Sequence, residues 1–274
     1  MTIISSVILG IIEGLTEFLP ISSTAHLIIA SEWLNIPTTD FLKTFEISIQ
    51  LGAILAVVFL YWKKIWSSFN LILKIATAFI PTAIIGLIFY KIVKNYLLDN
   101  LYIIALALLL GGVVLIIFEK YYQKKTINLN AKTDNVDNLN YPEASLESLT
   151  YKQAALIGAC QSLAIIPGVS RAAATIIGGL SLGIKRTAIV EFSFLLAIPT
   201  MLAATGLDLY KSQAILNNLS RSDWLAWLIG LLISFITAII GVKFFIKFIQ
   251  KNNFIPFGWY RIGLGIIVLA WLLI

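Results

Sequence analysis

Two short stretches of this chain combine acidic, basic and hydroxyl side chains that could do chemistry on a phosphate or another anion. The first, Glu13–His26, reads EGLTEFLPISSTAH, and the second, Pro167–Thr175, reads PGVSRAAAT. Both interrupt strongly apolar sequence, where one ionised side chain at the centre of a membrane helix costs roughly 2.5–3.5 kcal/mol. Two carboxylates, one imidazole and one guanidinium in such surroundings indicate a functional site.

The two carboxylates of the first stretch, Glu13 and Glu17, are four residues apart, which places them on one face of a helix. A hard cation such as Mg²⁺ or Ca²⁺, or an arginine from elsewhere in the chain, would relieve their repulsion. Such a cation could also bridge to phosphate oxygens. A hydrogen-bonded pair between helices, with one carboxyl protonated, is the structural alternative. The spacing therefore favours a functional role for Glu13 and Glu17, with a cation or an arginine as their partner.

Ser22 and Ser23 follow Pro20, at a point where a new helix could begin. Free N–H groups of a helix N terminus and the serine hydroxyls would then converge on an anion. His26 lies four and three residues beyond the serines, so its imidazole can reach a serine hydroxyl on that helix. This is the spacing of a nucleophile and its general base, although the histidine could also act on water alone. It is the chain's one histidine, which favours a functional role over a structural one.

The second stretch repeats this design with the opposite charge. Pro167 and Gly168 break the chain, and Ser170 follows them. Arg171 offers a planar donor fork suited to phosphate, and Thr175 lies one helical turn beyond it. Arg171 could instead be the structural counter-ion of an acid in the first stretch. Both roles can coexist if a substrate displaces that acid.

The elements that must position these residues lie in a membrane, because the composition is 59% hydrophobic and 12% charged, with a mean hydropathy of +0.92. The net charge of +6 comes from basic residues between hydrophobic spans, where they report topology, so no nucleic-acid partner is expected. The one cysteine, Cys160, has apolar neighbours. Disulfides within the chain and Cys-x-x-Cys chemistry are therefore excluded.

Six apolar stretches are long enough to span a hydrocarbon core of roughly 30 Å. They lie at about 45–62, 71–90, 101–118, 187–207, 224–245 and 257–274. Two other apolar segments, 1–33 and 153–182, are each broken in the middle by a proline and polar residues. Backbone that leaves a helix at membrane depth must be surrounded by protein or by a water-filled cavity. These segments are therefore predicted to be re-entrant hairpins that meet at a shared site, with full spans as the alternative.

The sequence also predicts an inverted repeat. FEISI at 45–49 resembles VEFSF at 190–194, 145 positions later, and Pro20 and Pro167 are 147 positions apart. Each half then contains one broken hairpin and three spans, and an odd number of crossings inverts the second half relative to the first. The prediction is one all-α polytopic membrane domain over 1–274. It consists of repeat one at about 1–118, a cytoplasmic linker at about 119–152 and repeat two at about 153–274.

Alternation of the six spans puts thirteen of the twenty basic residues on one side, including those at the Lys243–Arg261 connection. The positive-inside rule assigns that side to the cytoplasm. Both termini are then extracytoplasmic.

These features resemble the bacterial undecaprenyl pyrophosphate phosphatases, also called the bacitracin-resistance proteins. The resemblance covers essentially the whole chain and rests on EGLTEFLPxSSTxH at Glu13–His26 and PGxSRxxxT at Pro167–Thr175. Two departures from the family pattern occur. Ala172 and Ala173 stand where the family usually has Ser-Gly, and Ala25 stands where it has glycine. These departures affect helper hydrogen bonds and local backbone shape, and the core set of residues is intact.

The resemblance implies hydrolysis of the terminal phosphate of undecaprenyl pyrophosphate at the outer side of the bacterial plasma membrane. This reaction recycles the lipid carrier for peptidoglycan synthesis and confers bacitracin resistance. The implied catalytic residues are Ser23 as nucleophile, His26 for proton transfer, Glu17 and Arg171. The implied phosphate-binding residues are Ser22, Ser170, Arg171 and Thr175. Glu13 and Glu17 would hold the divalent cation, Mg²⁺ or Ca²⁺.

A polyprenyl-phosphate flippase is the competing class, since inverted repeats and broken helices also describe transporters. A flippase would not need a serine three residues ahead of a histidine. A membrane phosphatase that uses two histidines is excluded, because His26 is the only one. The sequence allows a homodimer, and it leaves the choice between serine attack and histidine-activated water open.

Overall fold

The computed structural model describes residues 1–97, 100–130, 146 and 148–273, and its regular elements there are helices. In chain order the α-helices are α1 Ile3–Thr16, α2 Ser23–Trp33, α3 Asp40–Ser48, α4 Gln50–Ser67, α5 Phe69–Ile92, α6 Leu101–Asn130, α7 Tyr151–Gln161, α8 Arg171–Ser181, α9 Arg186–Lys211, α10 Gln213–Leu216, α11 Arg221–Ile249 and α12 Ile255–Leu273. A π-helical turn at Val93–Leu97 follows α5, and a 3₁₀ turn at Ser162–Ile165 follows α7.

The six predicted spans are confirmed, because six helical stretches of the described chain are long and apolar enough to cross a membrane. They are Asp40–Ser67, Phe69–Phe89, Leu101–Lys124, Arg186–Lys211, Arg221–Ile249 and Ile255–Leu273. The first of them consists of α3 and α4, which meet at Ile49. The sequence analysis treated that region as one uninterrupted span. These spans make the chain a multi-pass membrane protein.

The two segments with predicted breaks are pairs of short helices. α1 and α2 are joined by a turn that contains Pro20, and α7 and α8 are joined through the 3₁₀ turn and Pro167. α1 has 14 residues, and α2, α7 and α8 have 11 each. At 1.5 Å per residue these helices measure about 21 Å and about 17 Å, less than a hydrocarbon core. The predicted breaks are confirmed, and the re-entrant path through the bilayer stays a prediction.

Glycines allow α1 to pack closely against α11 and α6 to pack closely against α12. A methyl group at Gly14 of α1 would lie 2.4 Å from the backbone oxygen of Ser234 in α11. One at Gly112 of α6 would lie 2.6 Å from the backbone oxygen of Gly258 in α12. Helices in lipid gain little from burying apolar surface against each other, so close van der Waals contact at small residues has to hold them together.

The largest apolar cluster lies between the two halves of the chain, around Phe194 of α9. Its ring centroid lies 5.3 Å from that of Phe18, 6.0 Å from that of Phe245 and 6.4 Å from that of Tyr61. Phe18 is fully buried and directly follows Glu17 in the chain. The core therefore anchors the turn that carries the first acidic cluster.

The helix contacts exchange partners between the two halves. α1 packs against α11 and α7 packs against α5, while α4 contacts α9 and α6 contacts α12. Matching α1 to α7, α4 to α9, α5 to α11 and α6 to α12 maps the α1–α11 contact onto the α7–α5 contact. The same matching maps the α4–α9 contact and the α6–α12 contact each onto itself. Such an arrangement is typical of two related halves around a twofold axis, although the inverted repeat itself stays a prediction.

Two further differences from the sequence analysis concern Arg261 and the predicted linker. Arg261 was counted among the basic residues of a connection, but it lies within α12 and is fully buried. That assignment was wrong, because a guanidinium can stay inside when backbone carbonyls accept its hydrogen bonds. The predicted linker at about 119–152 begins inside α6, and its residues 131–145 and 147 lie outside the described part of the chain.

Candidate functional site

The turn between α1 and α2 (the first break) and the segment between α7 and α8 (the second break) end in the same unusual helix cap. Ser22 precedes α2 and Ser170 precedes α8, and each has a φ of 71°. The Ser22 hydroxyl accepts a hydrogen bond from the Ala25 N–H at 3.4 Å, and the Ser170 hydroxyl accepts one from the Ala173 N–H at 3.3 Å. A positive φ is unfavourable for any residue except glycine, and such backbone strain concentrates at functional sites. α2 and α8 therefore both begin after a serine that is held at a positive φ.

A partly open cavity of about 500 Å³ lies between the two breaks. Its lining residues are Glu17, Ser22, Ser23, Thr24, Gln50, Ala164, Ile166, Pro167, Gly168, Ser170, Arg171 and Met201. α2 and α8 both begin at this wall, with Ser23 and Arg171 as their first residues. The first N–H groups of a helix have no partner inside that helix, and the helix dipole adds partial positive charge there. Two helix N termini around one cavity favour an anion.

Glu17 and Arg171 connect the two breaks directly. Arg171 Nη2 lies 3.0 Å from Glu17 Oε1, and the two side chains are 12% and 7% exposed. The Ser23 hydroxyl donates to Glu17 Oε2, so both carboxylate oxygens have a partner. The ion pair that the sequence analysis kept as an alternative is therefore present. Because the pair lies on the cavity wall, an incoming anion would meet Arg171 there.

Glu13 is buried behind this pair. It is 0% exposed, and neither of its carboxylate oxygens has a hydrogen-bond partner within the described structure. Its carboxyl lies beside that of Glu17. A buried acid without partners is expensive, and a cation shared with its neighbour would supply the missing interaction. Two carboxylates with further ligands from water and phosphate suit Mg²⁺, so the donor set fits a divalent cation.

His26 points away from the serine hydroxyls. Its Nδ1 lies 2.7 Å from the backbone oxygen of Ser22, and its Nε2 lies 2.8 Å from the hydroxyl of Tyr260 in α12. The two rings stack with a centroid distance of 5.6 Å and an interplanar angle of 4°. A carbonyl oxygen only accepts, so Nδ1 carries the proton and Nε2 is left as an acceptor. Tyr260 holds the imidazole in one tautomer and one orientation.

Thr175 faces a second polar cluster. Its hydroxyl is fully buried, 2.8 Å from the backbone oxygen of Arg171 and 3.2 Å from Oε1 of Gln161. The Gln161 amide donates to Thr82 and Thr200 at 3.1 Å and 3.0 Å. Thr175 is absent from the cavity lining. It therefore supports the turn that carries Arg171 from behind.

The structure brings five of the predicted site residues together on the cavity wall and sets three around them. Those on the wall are Glu17, Ser22, Ser23, Ser170 and Arg171. Those behind or beside it are Glu13, His26 and Thr175. Their roles in binding and catalysis stay predictions. Within the described residues no group of three or more histidine, cysteine or acidic side chains forms a metal site by itself.

Sequence reasoning missed three residues around this site: Gln161, Tyr260 and Arg261. Gln161 and Tyr260 stand in apolar helices with no motif around them, and Tyr260 is 234 positions from its partner His26. Arg261 carried a signal, because it is a charge within reach of an apolar span. It was assigned to a connection instead.

Comparison with known proteins gives a consistent result. Residues 6–267 match the family model described as Bacitracin resistance protein BacA. The chain is 49% identical over 271 residues to the undecaprenyl-diphosphatase of Sulfurihydrogenibium sp. (strain YO3AOP1), which covers 99% of this chain and 100% of the relative. It is 47% identical over 273 residues to the undecaprenyl-diphosphatase of Persephonella marina and 45% identical over 273 residues to that of Aquifex aeolicus. Each of these two alignments covers 100% of both chains.

Proposed function

Because this chain belongs to the bacitracin resistance protein BacA family, we propose that it hydrolyses undecaprenyl pyrophosphate to undecaprenyl phosphate and inorganic phosphate. The protein is then a membrane hydrolase that recycles the lipid carrier of cell-wall synthesis, and its activity confers bacitracin resistance. The observation that carries this proposal is the contact of Ser23 and Arg171 with the two oxygens of Glu17 on one cavity wall.

The diphosphate binds between the two breaks. Arg171 offers a bidentate fork to phosphate oxygens, and the N termini of α2 and α8 add N–H donors and positive potential. Glu17 is the anionic partner of Arg171 in the structure, so substrate binding exchanges one anionic partner for another. The prenyl tail lies against the outer surface of the spanning helices, which carry many exposed aliphatic side chains.

Ser23 is the nucleophile of this mechanism. Its hydroxyl proton passes to Glu17 Oε2 as Oγ attacks the terminal phosphorus. A bond forms between Oγ and phosphorus, the bridging oxygen–phosphorus bond breaks, and undecaprenyl phosphate leaves. Water then hydrolyses the phosphoserine to inorganic phosphate and free serine. In that step Glu17 returns its proton to the Ser23 oxygen. His26 takes the proton of the water once its Nε2 exchanges the Tyr260 hydroxyl for that water.

Glu13 and Glu17 would hold the divalent cation, which when bound neutralises charge on the phosphate oxygens. The unpartnered oxygens of Glu13 support this assignment.

We propose that the short helices form two re-entrant hairpins in an inverted repeat and that the site opens to the extracytoplasmic side of the plasma membrane. The lengths of α1, α2, α7 and α8 and the exchanged helix contacts support this topology. A second cavity of about 780 Å³ shares Thr24 and Gln50 with the first. It extends to Glu32, Thr38 and Lys43 near the α2–α3 connection, which is extracytoplasmic when both termini are.

Phosphate release from a polyprenyl pyrophosphate by the purified protein in detergent tests the activity. We expect the wild type to release phosphate. Arg171→Lys should have a kcat/KM about 10- to 100-fold lower, because lysine cannot bind phosphate through two parallel donors. Arg221→Lys is the matched control, since Arg221 is exposed at the start of α11. The proposal would be contradicted if the wild-type protein released no phosphate.

Rapid acid quenching during turnover of ³²P-labelled substrate tests the nucleophile. A phosphoserine at Ser23 is expected, and Ser23→Ala should not become labelled. Absence of label in an active wild type would favour water activated by His26 instead.

The exchanged helix contacts also suit a polyprenyl-phosphate flippase. A protein that only moves lipid would transfer the substrate across a vesicle membrane and release no phosphate in detergent. The detergent assay therefore separates the two functions.

A further inference from the structure

Arg261 of α12 is fully buried and binds backbone from three separate segments. Its guanidinium donates to the carbonyl oxygens of Gly168 at 2.8 Å, Val169 at 3.0 Å, Ala107 at 3.0 Å, Pro20 at 3.2 Å and Leu108 at 3.5 Å. Pro20 belongs to the first break, Gly168 and Val169 belong to the second, and the other two belong to α6. One side chain thus ties both breaks to the α6–α12 pair.

These contacts orient the peptide groups next to the cavity. In a planar trans peptide the C=O and the following N–H point in opposite directions. Because the Val169 carbonyl points at Arg261, the Ser170 N–H points away from Arg261, and Ser170 lines the cavity. Carbonyl oxygens would repel a bound diphosphate, and Arg261 turns them away from it.

Arg261 also keeps its charge. Within the described residues no carboxylate forms an ion pair with it, and its acceptors are neutral carbonyls. Gly168 lies on the cavity wall and 2.8 Å from the guanidinium, so an unneutralised positive charge stands directly behind that wall. Charges act more strongly in a buried site than in water.

We propose that Arg261 is a positioning residue for the diphosphate site. It holds the two breaks at a fixed separation, turns their carbonyl oxygens away from the anion and adds positive potential behind Gly168. This inference rests on the proposed function and names a residue that supports its binding site.

Gly111 of α6 gives independent access to the same contacts. A methyl group at that position would lie 1.9 Å from Nη2 of Arg261, so the guanidinium would have to move. Gly263 of α12 is the matched control, because a methyl group there meets no atom within 4 Å. Both changes put alanine in place of glycine within a helix.

The test compares Arg261→Lys, Gly111→Ala and Gly263→Ala with the wild type. It measures kcat and KM for a polyprenyl pyrophosphate, the inhibition constant of inorganic pyrophosphate and the thermal unfolding midpoint in detergent. A lysine ammonium has three donors on one nitrogen and cannot reach acceptors in three segments. Displacement of a site by about 1 Å can cost about 100-fold in rate. We therefore expect Arg261→Lys and Gly111→Ala to lower kcat/KM by about 10- to 100-fold and to weaken pyrophosphate inhibition.

Gly263→Ala should keep wild-type kinetics. Wild-type kcat/KM and pyrophosphate inhibition in Arg261→Lys or in Gly111→Ala would overturn the inference, even if the unfolding midpoint falls. Arg261→Lys changes these contacts from α12 and Gly111→Ala changes them from α6. If only one of the two variants folds, its kinetics still test the inference. An inactive wild type would instead contradict the proposed function. Direct binding of inorganic pyrophosphate, measured by calorimetry, would then compare Arg261→Lys and Gly111→Ala with the wild type, and equal affinities would overturn the inference.

Discussion

When the cap serines Ser22 and Ser170 are aligned, Ser23 corresponds to Arg171 and Glu13 corresponds to Gln161. The backbone is alike at both places, with the same positive φ and the same hydroxyl cap. The side chains differ in charge and in reactivity. The first break carries acids, a hydroxyl and an imidazole, whereas the second supplies the guanidinium.

The contrast is sharpest between Glu13 and Gln161. Both lie near the end of the first helix of their pair, and both are buried. The Gln161 side chain is hydrogen-bonded to three threonines, Thr82, Thr175 and Thr200. Neither oxygen of Glu13 has such a partner within the described structure. A buried polar group that serves packing is satisfied by its neighbours, so we propose that Glu13 meets a ligand.

The comparison teaches that one backbone device can present different chemistry to a single cavity. Each break starts a helix under strain and directs its first residue at the other break. We propose that the break with Gln161 supports Arg171 and that the break with Glu13 carries the reactive groups, and we call the latter the reactive half.

The strongest test of this division is the removal of one hydroxyl from the reactive half. Ser23→Ala deletes the donor to Glu17 and, with it, the nucleophile, so kcat should fall by at least about 10³-fold. Ser181→Ala, an exposed serine at the end of α8, is the matched control and should stay active. Phosphate release in detergent measures both. Activity of Ser23→Ala within tenfold of wild type would end the distinction between the two breaks.

Glu13→Gln and Gln161→Glu should change different properties, the first the cation requirement and the second the unfolding midpoint. Glu13→Gln removes a carboxylate ligand, so the concentration of Mg²⁺ or Ca²⁺ that half-restores activity after chelation should rise by at least about 10-fold. Its unfolding midpoint should stay near the wild-type value, since glutamine is no worse than an unpartnered acid.

Gln161→Glu should do the reverse. It places a carboxylate among three hydroxyl partners and removes the amide donors, which costs about 1–3 kcal/mol of stability. The unfolding midpoint should fall while the cation requirement stays unchanged. If both variants changed the same property, the two positions would not differ in function.

Tyr260→Phe should lower kcat/KM moderately, because it changes only the contact with His26 at the first break. Phenylalanine keeps the ring stacked on His26 but loses the hydroxyl 2.8 Å from Nε2. One such hydrogen bond is worth about 1 kcal/mol, which corresponds to about fivefold in kcat/KM. Tyr260→Ala should lose more, because the ring is then free to turn. Equal activity of Tyr260→Phe and wild type would remove Tyr260 from the site.

The smallest effect is expected where the two breaks are alike. Ser22→Gly and Ser170→Gly lose the cap but suit the positive φ, whereas alanine loses the cap and keeps the strain. Each alanine variant should therefore be about 1 kcal/mol less stable than the glycine variant at the same position. Thermal unfolding in detergent gives the order. Different orders at the two serines would show that the caps are not equivalent.

Much of the architecture was predictable because the bilayer restricts it. Hydrocarbon thickness sets the length of a spanning helix, and the six apolar stretches were visible as such. The prolines and polar residues located both breaks. The boundary between α3 and α4 at Ile49 was not visible, because the residues around it fit one continuous apolar helix.

The site was predictable only in part. Glu17 and Arg171 were proposed as partners because opposite charges in an apolar chain need each other, and they lie 3.0 Å apart. The direction of His26 was not predictable from its spacing. A serine four residues earlier offers both a hydroxyl and a carbonyl, and Tyr260 of a remote helix decides between them.

The sequence alone determined the class of protein, the number of spanning helices, the positions of the breaks and the chemical types that meet there. Hydropathy, proline geometry and the cost of a charge in lipid are local properties, so they can be read along the chain. Only the tertiary structure decided which partner each polar group has. Arg261 bonds to carbonyls 92 to 241 positions away, and backbone acceptors of that kind look the same at every residue.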